Sequence, residues 1–104
     1  MMGPDRAWTI PYKPDFDLSK FPVNERGFNY CGASLMAFNK LAKSRGYRLV
    51  GCARGGWNAF FVKNGLGDEM LPEVSTASCF RYENNFVSAR DRFPLVEKMD
   101  WEEV

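Results

Sequence analysis

Hydrophobic positions recur along this chain in two periods, and the change from one to the other falls between Ser44 and Tyr47. From Gly32 onward, Leu35, Ala37, Phe38, Leu41 and Ala42 share one arc of a helical wheel, while Asn39, Lys40, Lys43 and Ser44 lie opposite. That spacing predicts an amphipathic helix with one buried face. Lys43 and Arg45 suit the partial negative charge of its C-terminus, Gly46 suits the closing turn, and Asn29 offers the best capping oxygen at the start. The pattern then becomes twofold, with YRLVGC at Tyr47 to Cys52 and WNAFFVK at Trp57 to Lys63 on either side of Gly55 and Gly56. Two aromatic and β-branched runs around a glycine turn predict an antiparallel hairpin, 47–52 paired with 57–63. Trp57, Ala59 and Phe61 share one side of the second strand; Asn58, Phe60 and Val62 share the other. Both sides are largely apolar, and one helix covers only one of them.

The flanks are less regular. Residues 1–28 contain Pro4, Pro11, Pro14 and Pro22, which exclude a helix and interrupt any central strand. They read as an extended arm with a short edge strand around Trp8, Thr9 and Ile10. Its apolar residues Tyr12, Phe16, Leu18 and Phe21 are expected to pack on a body, its own or a neighbour's. Toward the other end, Tyr82, Phe86, Ala89 and Phe93 are spaced for a second amphipathic helix that Pro94 stops. Leu95, Val96, Met99 and Trp101 anchor the tail, with Glu102 and Glu103 solvated. The expected class is therefore α+β in one domain: the arm, then a core of residues 29–104 in which the main helix packs on a small antiparallel sheet.

Composition narrows the functions. Three Trp, four Tyr and nine Phe in 104 residues support a packed core. Fourteen Lys and Arg against thirteen Asp and Glu leave a net charge of +1, so no basic field advertises nucleic acid. The cluster Lys40, Lys43, Arg45, Arg48 reads as a solvated face. With no histidine in the sequence, the commonest general base and the commonest nitrogen ligand of zinc are missing. Cys31, Cys52 and Cys79 lack any metal or redox spacing and read as reduced, buried thiols. No apolar run approaches a membrane span and no signal-peptide core is present, so the expectation is a cytoplasmic protein.

The succession TIPYKPDF at Thr9 to Phe16, NYCGASLMAFNKLAKSRGYRLVGC at Asn29 to Cys52 and NAFFV at Asn58 to Val62 resembles the C-terminal segment of bacterial S-adenosylmethionine-dependent methyltransferase-like proteins akin to the FkbM group. The resemblance implies the last large helix and strands six and seven of a methyltransferase fold. The cofactor half of such proteins lies upstream of this segment, and no glycine-rich loop joins a strand to a helix here.

The function expected from these readings is a small, non-catalytic, homo-oligomeric module that binds a small molecule or a protein partner. Its polar contacts are expected from Tyr30, Arg48, Arg54 and Asn58, on or beside the hairpin where strand ends meet loops. Catalytic residues, metal ligands and a cofactor are not expected. A homodimer is expected through the exposed edge or face of the sheet. The alternative is a complementing subunit, or a relic, of a methyltransferase, with S-adenosylmethionine as its cofactor.

Overall fold

The computed structural model describes residues 2–21, 23–24, 27–28 and 30–104. Asn29, expected to cap the main helix, and Pro22 lie outside the described residues. The fold is α+β, with three antiparallel two-stranded ribbons and two α-helices among the described residues. In chain order they are β1 (Trp8–Thr9), β2 (Val23–Asn24), β3 (Gly27–Phe28), α1 (Leu35–Ser44), β4 (Tyr47–Cys52), β5 (Ala59–Lys63), α2 (Glu83–Val87) and β6 (Glu102–Glu103). β2 pairs with β3, β4 with β5, and β1 with β6.

The central unit forms where the periodicity changes. α1 begins three residues later than Gly32, which takes φ +68 and so stays outside the helix. Ser34 caps it instead, its Oγ accepting from the Ala37 N–H at 3.1 Å and satisfying one of the donors a helix start leaves free. Gly46 closes the far end, its N–H donating to the Lys43 carbonyl. β4 and β5 pair Arg48 with Val62 and Leu49 with Phe61, with an irregularity between Leu49 and Gly51. Trp57 and Asn58, expected in the second strand, belong to the turn: the Ala53 N–H donates to the Asn58 carbonyl at 2.8 Å and the hairpin closes there.

The helix faces depart from expectation. Ala37 and Asn39 are buried in α1, whereas Phe38 and Leu41 stay about half exposed. The segment 64–74 crosses the outer side of the ribbon and is tied down at several points. The Asn64 N–H donates to Gly46 O, the Val74 N–H donates to Leu49 O, and Lys43 pairs with Glu73 at 2.8 Å. The ribbon's second cover is thus supplied in part by the chain's own next loop.

The principal core lies elsewhere, between the arm and the tail. Met2, Tyr30, Phe93 and Val96 are buried together, with Trp8, Ile10, Phe16, Phe21, Met99 and Trp101 packed around them. Trp101 is the hub: its ring lies 5.0 Å from Tyr30, 6.3 Å from Trp8 and 6.4 Å from Phe93, and its Nε1–H donates to the Val96 carbonyl at 2.9 Å. Such ring pairs add to the large apolar area that aromatic side chains bury. The arm packs on its own chain through Trp8, Ile10, Phe16 and Phe21, whereas Tyr12, expected to pack as well, is 88% exposed; β1 pairs with the tail rather than with the central ribbon. Glu102 and Glu103, expected to be free in solvent, form β6 opposite Thr9 and Trp8, with their side chains still exposed. No helix among the described residues is long and apolar enough to cross a membrane.

Candidate functional site

The C-terminal helix brings polar side chains inward. α2 runs on into a π turn at Ser88–Arg92 and a tight turn at Phe93–Leu95 that contains Pro94, so the chain bends through that proline instead of stopping before it. A π turn takes an extra residue per turn and rotates the residues downstream of it. Phe93 is accordingly buried while Phe86, expected on the same inner face, is 60% exposed. Asn85, Ser88 and Arg92 are buried in its place.

These residues clamp the β4–β5 turn. Asn84 Nδ2 donates to the Gly55 carbonyl at 2.9 Å, and the Arg92 guanidinium lies 5.3 Å from the centre of the Trp57 ring, within range of a cation–π attraction. Asn85 presses against Gly56. That glycine has φ +76, and a Cβ there would sit 2.6 Å from Asn85 Nδ2. Both the left-handed backbone and the close approach require a residue without a side chain. Gly56→Ala is therefore expected to cost about 1–2 kcal/mol in a chemical denaturation curve, and to release the Asn84 side-chain amide from its bond in an NMR spectrum.

Between this clamp, the start of α1 and the inner side of β5 lies a cavity of about 650 Å3, within the range of small-molecule sites. Phe38, Phe61, Phe80 and Trp57 supply much of its apolar wall; Ser34, Asn58, Asn84, Asn85 and Ser88 supply neutral polar groups. Arg92 is the one formally charged side chain among the described residues that line it. Asn85 Oδ1 is buried without a hydrogen-bond partner in the structure, a state that costs about 1–3 kcal/mol relative to a satisfied acceptor. The Cys52 and Cys79 thiols meet in the same wall, Cys52 Sγ lying 3.6 Å from the Cys79 carbonyl oxygen. Burial, and then the Cys52 thiol beside it, push the Cys79 thiol up to about 11. Cys31 also lines the cavity but is exposed, as the reading of three buried thiols did not anticipate. Among the described residues no group of three His, Cys, Asp or Glu side chains is arranged to hold a metal ion.

The four residues singled out from sequence do not form one constellation. Asn58 lines the cavity. Arg54 is exposed in the β4–β5 turn. Tyr30 is buried in the aromatic core, where its hydroxyl donates to the Asp100 carbonyl, and burial followed by the Asp100 charge raises its pKa. Arg48 is buried on the other side of the ribbon, where it donates to the carbonyls of Leu71 at 2.9 Å, Lys63 at 3.0 Å and Leu66 at 2.8 Å and pairs with Asp68. It organises the 64–74 loop. The residues that sequence reasoning missed are Trp57, Asn84, Asn85, Ser88 and Arg92. A signal was present: positions 84, 85, 88 and 92 fall within one arc of a helical wheel, but a polar stripe is normally the solvated one.

Compared with known proteins, the chain matches no family model, no curated protein and no solved structure.

Proposed function

We propose that the chain is a non-catalytic, homodimeric module that binds a small molecule in the cavity between the β4–β5 turn and the C-terminal helix. The observation that carries this reading is the buried polar stripe Asn85, Ser88, Arg92 set into the cavity wall beside Trp57, Phe61 and Phe80. Buried polar groups are ordinarily paired; besides Asn85 Oδ1, Asn39 Oδ1 on α1 is also unpaired and does not line the cavity, so what supports an occupant is the place of the polar stripe in the cavity wall. Aromatic walls and neutral amide groups suit a flat molecule with hydrogen-bonding edges. Binding rather than catalysis is favoured because the described lining residues offer no carboxylate or imidazole to move a proton. The free thiols of Cys31, Cys52 and Cys79 fit a reducing compartment, and we assign the protein to the cytoplasm.

Dimerisation is supported by the β4–β5 ribbon, which no third strand joins among the described residues, and by Phe60 exposed on β5. Two β5 edges pairing antiparallel about a twofold axis would extend two ribbons into one sheet. Light scattering at micromolar concentration is expected to give twice the 11.9 kDa of one chain, and Phe60→Lys to give the single-chain mass. A single-chain mass for the unaltered protein would remove the dimer from the proposal.

The ligand reading is tested by thermal shift against a panel of flat neutral and anionic metabolites, with Asn85→Leu alongside. A ligand at a hundred times its dissociation constant adds about 2.7 kcal/mol of stability. Asn85→Leu, which removes the unpaired acceptor, is expected to melt at or above the unaltered protein and to lose the ligand response. S-adenosylmethionine is expected to give no shift; a clear shift with it would favour the methyltransferase-subunit alternative.

A further inference from the structure

Cys52 ends β4, and Cys79 closes the 3-10 turn Ala77–Cys79. Twenty-seven positions apart in sequence, they meet in the cavity wall, with Cys52 Sγ 3.6 Å from the Cys79 carbonyl oxygen. Cys31 also lines the cavity but is exposed, on the segment before α1. Two neighbouring thiols can be oxidised together to a disulfide in a two-electron exchange. The cavity gives a small oxidant a route to it.

We propose that Cys52 and Cys79 form a redox-responsive dithiol that closes to a disulfide when a low-molecular-weight disulfide enters the cavity. The half-buried Cys52 reacts first: its thiolate attacks one sulfur of the oxidant, breaking that S–S bond and releasing one thiol. Cys79 then gives up its proton to solvent and attacks Cys52 Sγ, breaking the mixed disulfide and releasing the second thiol. Two protein thiols are oxidised to one disulfide, and one small disulfide is reduced to two thiols. The order follows from access, since a deeply buried thiol is a poor attacker of a free oxidant but a competent one against a bond held beside it.

Closure ties the foot of the glycine turn to the 77–79 turn, both of which wall the cavity, so oxidation also alters the room available to an occupant. The dithiol stands on its own geometry and does not need the ligand reading to hold. The test incubates the folded full chain with oxidised glutathione, alkylates the remaining thiols and maps the peptides without reduction. The expected result is a cross-link between the Cys52 and Cys79 peptides, a chain mass lower by two hydrogens at that pair, full reversal by dithiothreitol and the same cross-link in Cys31→Ser. Cys52 and Cys79 recovered as free thiols, as two separate glutathione adducts, or joined to Cys31 would overturn it.

Discussion

Trp101→Ala is expected to lower folding stability by about 2–4 kcal/mol, somewhat below the range for a fully buried aromatic side chain because the ring is partly buried. The ring touches Tyr30, Trp8 and Phe93, and its N–H satisfies the Val96 carbonyl, so truncation opens a void and strands a buried acceptor at once. A domain of this size has about 5–15 kcal/mol in total, so the variant should melt many degrees lower or fail to fold at 37 °C. Trp57→Ala makes the control. That ring is 68% exposed, and its loss should cost no more than about 1 kcal/mol while removing the stacking surface of the cavity. If the two variants were equally destabilised in urea titrations, the centre of the fold would not be where the arm meets the tail.

Arg48→Met is the second large effect, expected at about 2–4 kcal/mol. Two contributions compete at this residue. The ion pair to Asp68 is weak because the Asp68 side chain is 61% exposed, and pairs so open to solvent contribute about 0–1 kcal/mol. The larger one is the fork of donors to three carbonyls of the 63–71 segment, made by a side chain only 8% exposed. Asp68→Asn should therefore cost less than about 1 kcal/mol, and Arg48→Lys should fall between the two, since an ammonium cannot span three carbonyls with the geometry of a guanidinium. Hydrogen exchange is the discriminating measurement. In Arg48→Met, amides of the 64–74 segment should lose protection while those of α1 keep theirs; uniform loss across both would contradict the role given to Arg48.

The features legible in the sequence were local. The helix, the turn at Gly46 and the antiparallel ribbon arise from a change of period between neighbouring residues, and α1, β4 and β5 lie close to where that pattern predicts them. The arm–tail core was not legible in the same way. Trp8 and Thr9 pair with Glu103 and Glu102 across nearly the whole chain, and strands of two residues carry no period. The apolar residues of the arm showed that it must pack, but whether on its own chain or on a neighbour was open.

Arg48 misled for a different reason. An arginine beside a strand end reads as a ligand contact, and only the path of the 64–74 loop shows three carbonyls waiting for it. The cavity was hidden by a convention of pattern reading, that the apolar stripe of a helix faces inward. In the C-terminal helix the π turn at Ser88–Arg92 turns Phe93 inward without Phe86, and Asn85, Ser88 and Arg92 take the interior. A local rule broken without a local gain is where a functional site is to be looked for.

The most direct measurement is a nitrogen-edited NMR titration of the full chain with a fragment set of flat neutral and anionic compounds. At least one compound should move the Trp57 indole N–H together with the side-chain amides of Asn84 and Asn85, saturably, and leave the Trp101 indole in place. If every compound that binds moves resonances elsewhere on the protein, or none moves those three groups together, the cavity is not a binding site.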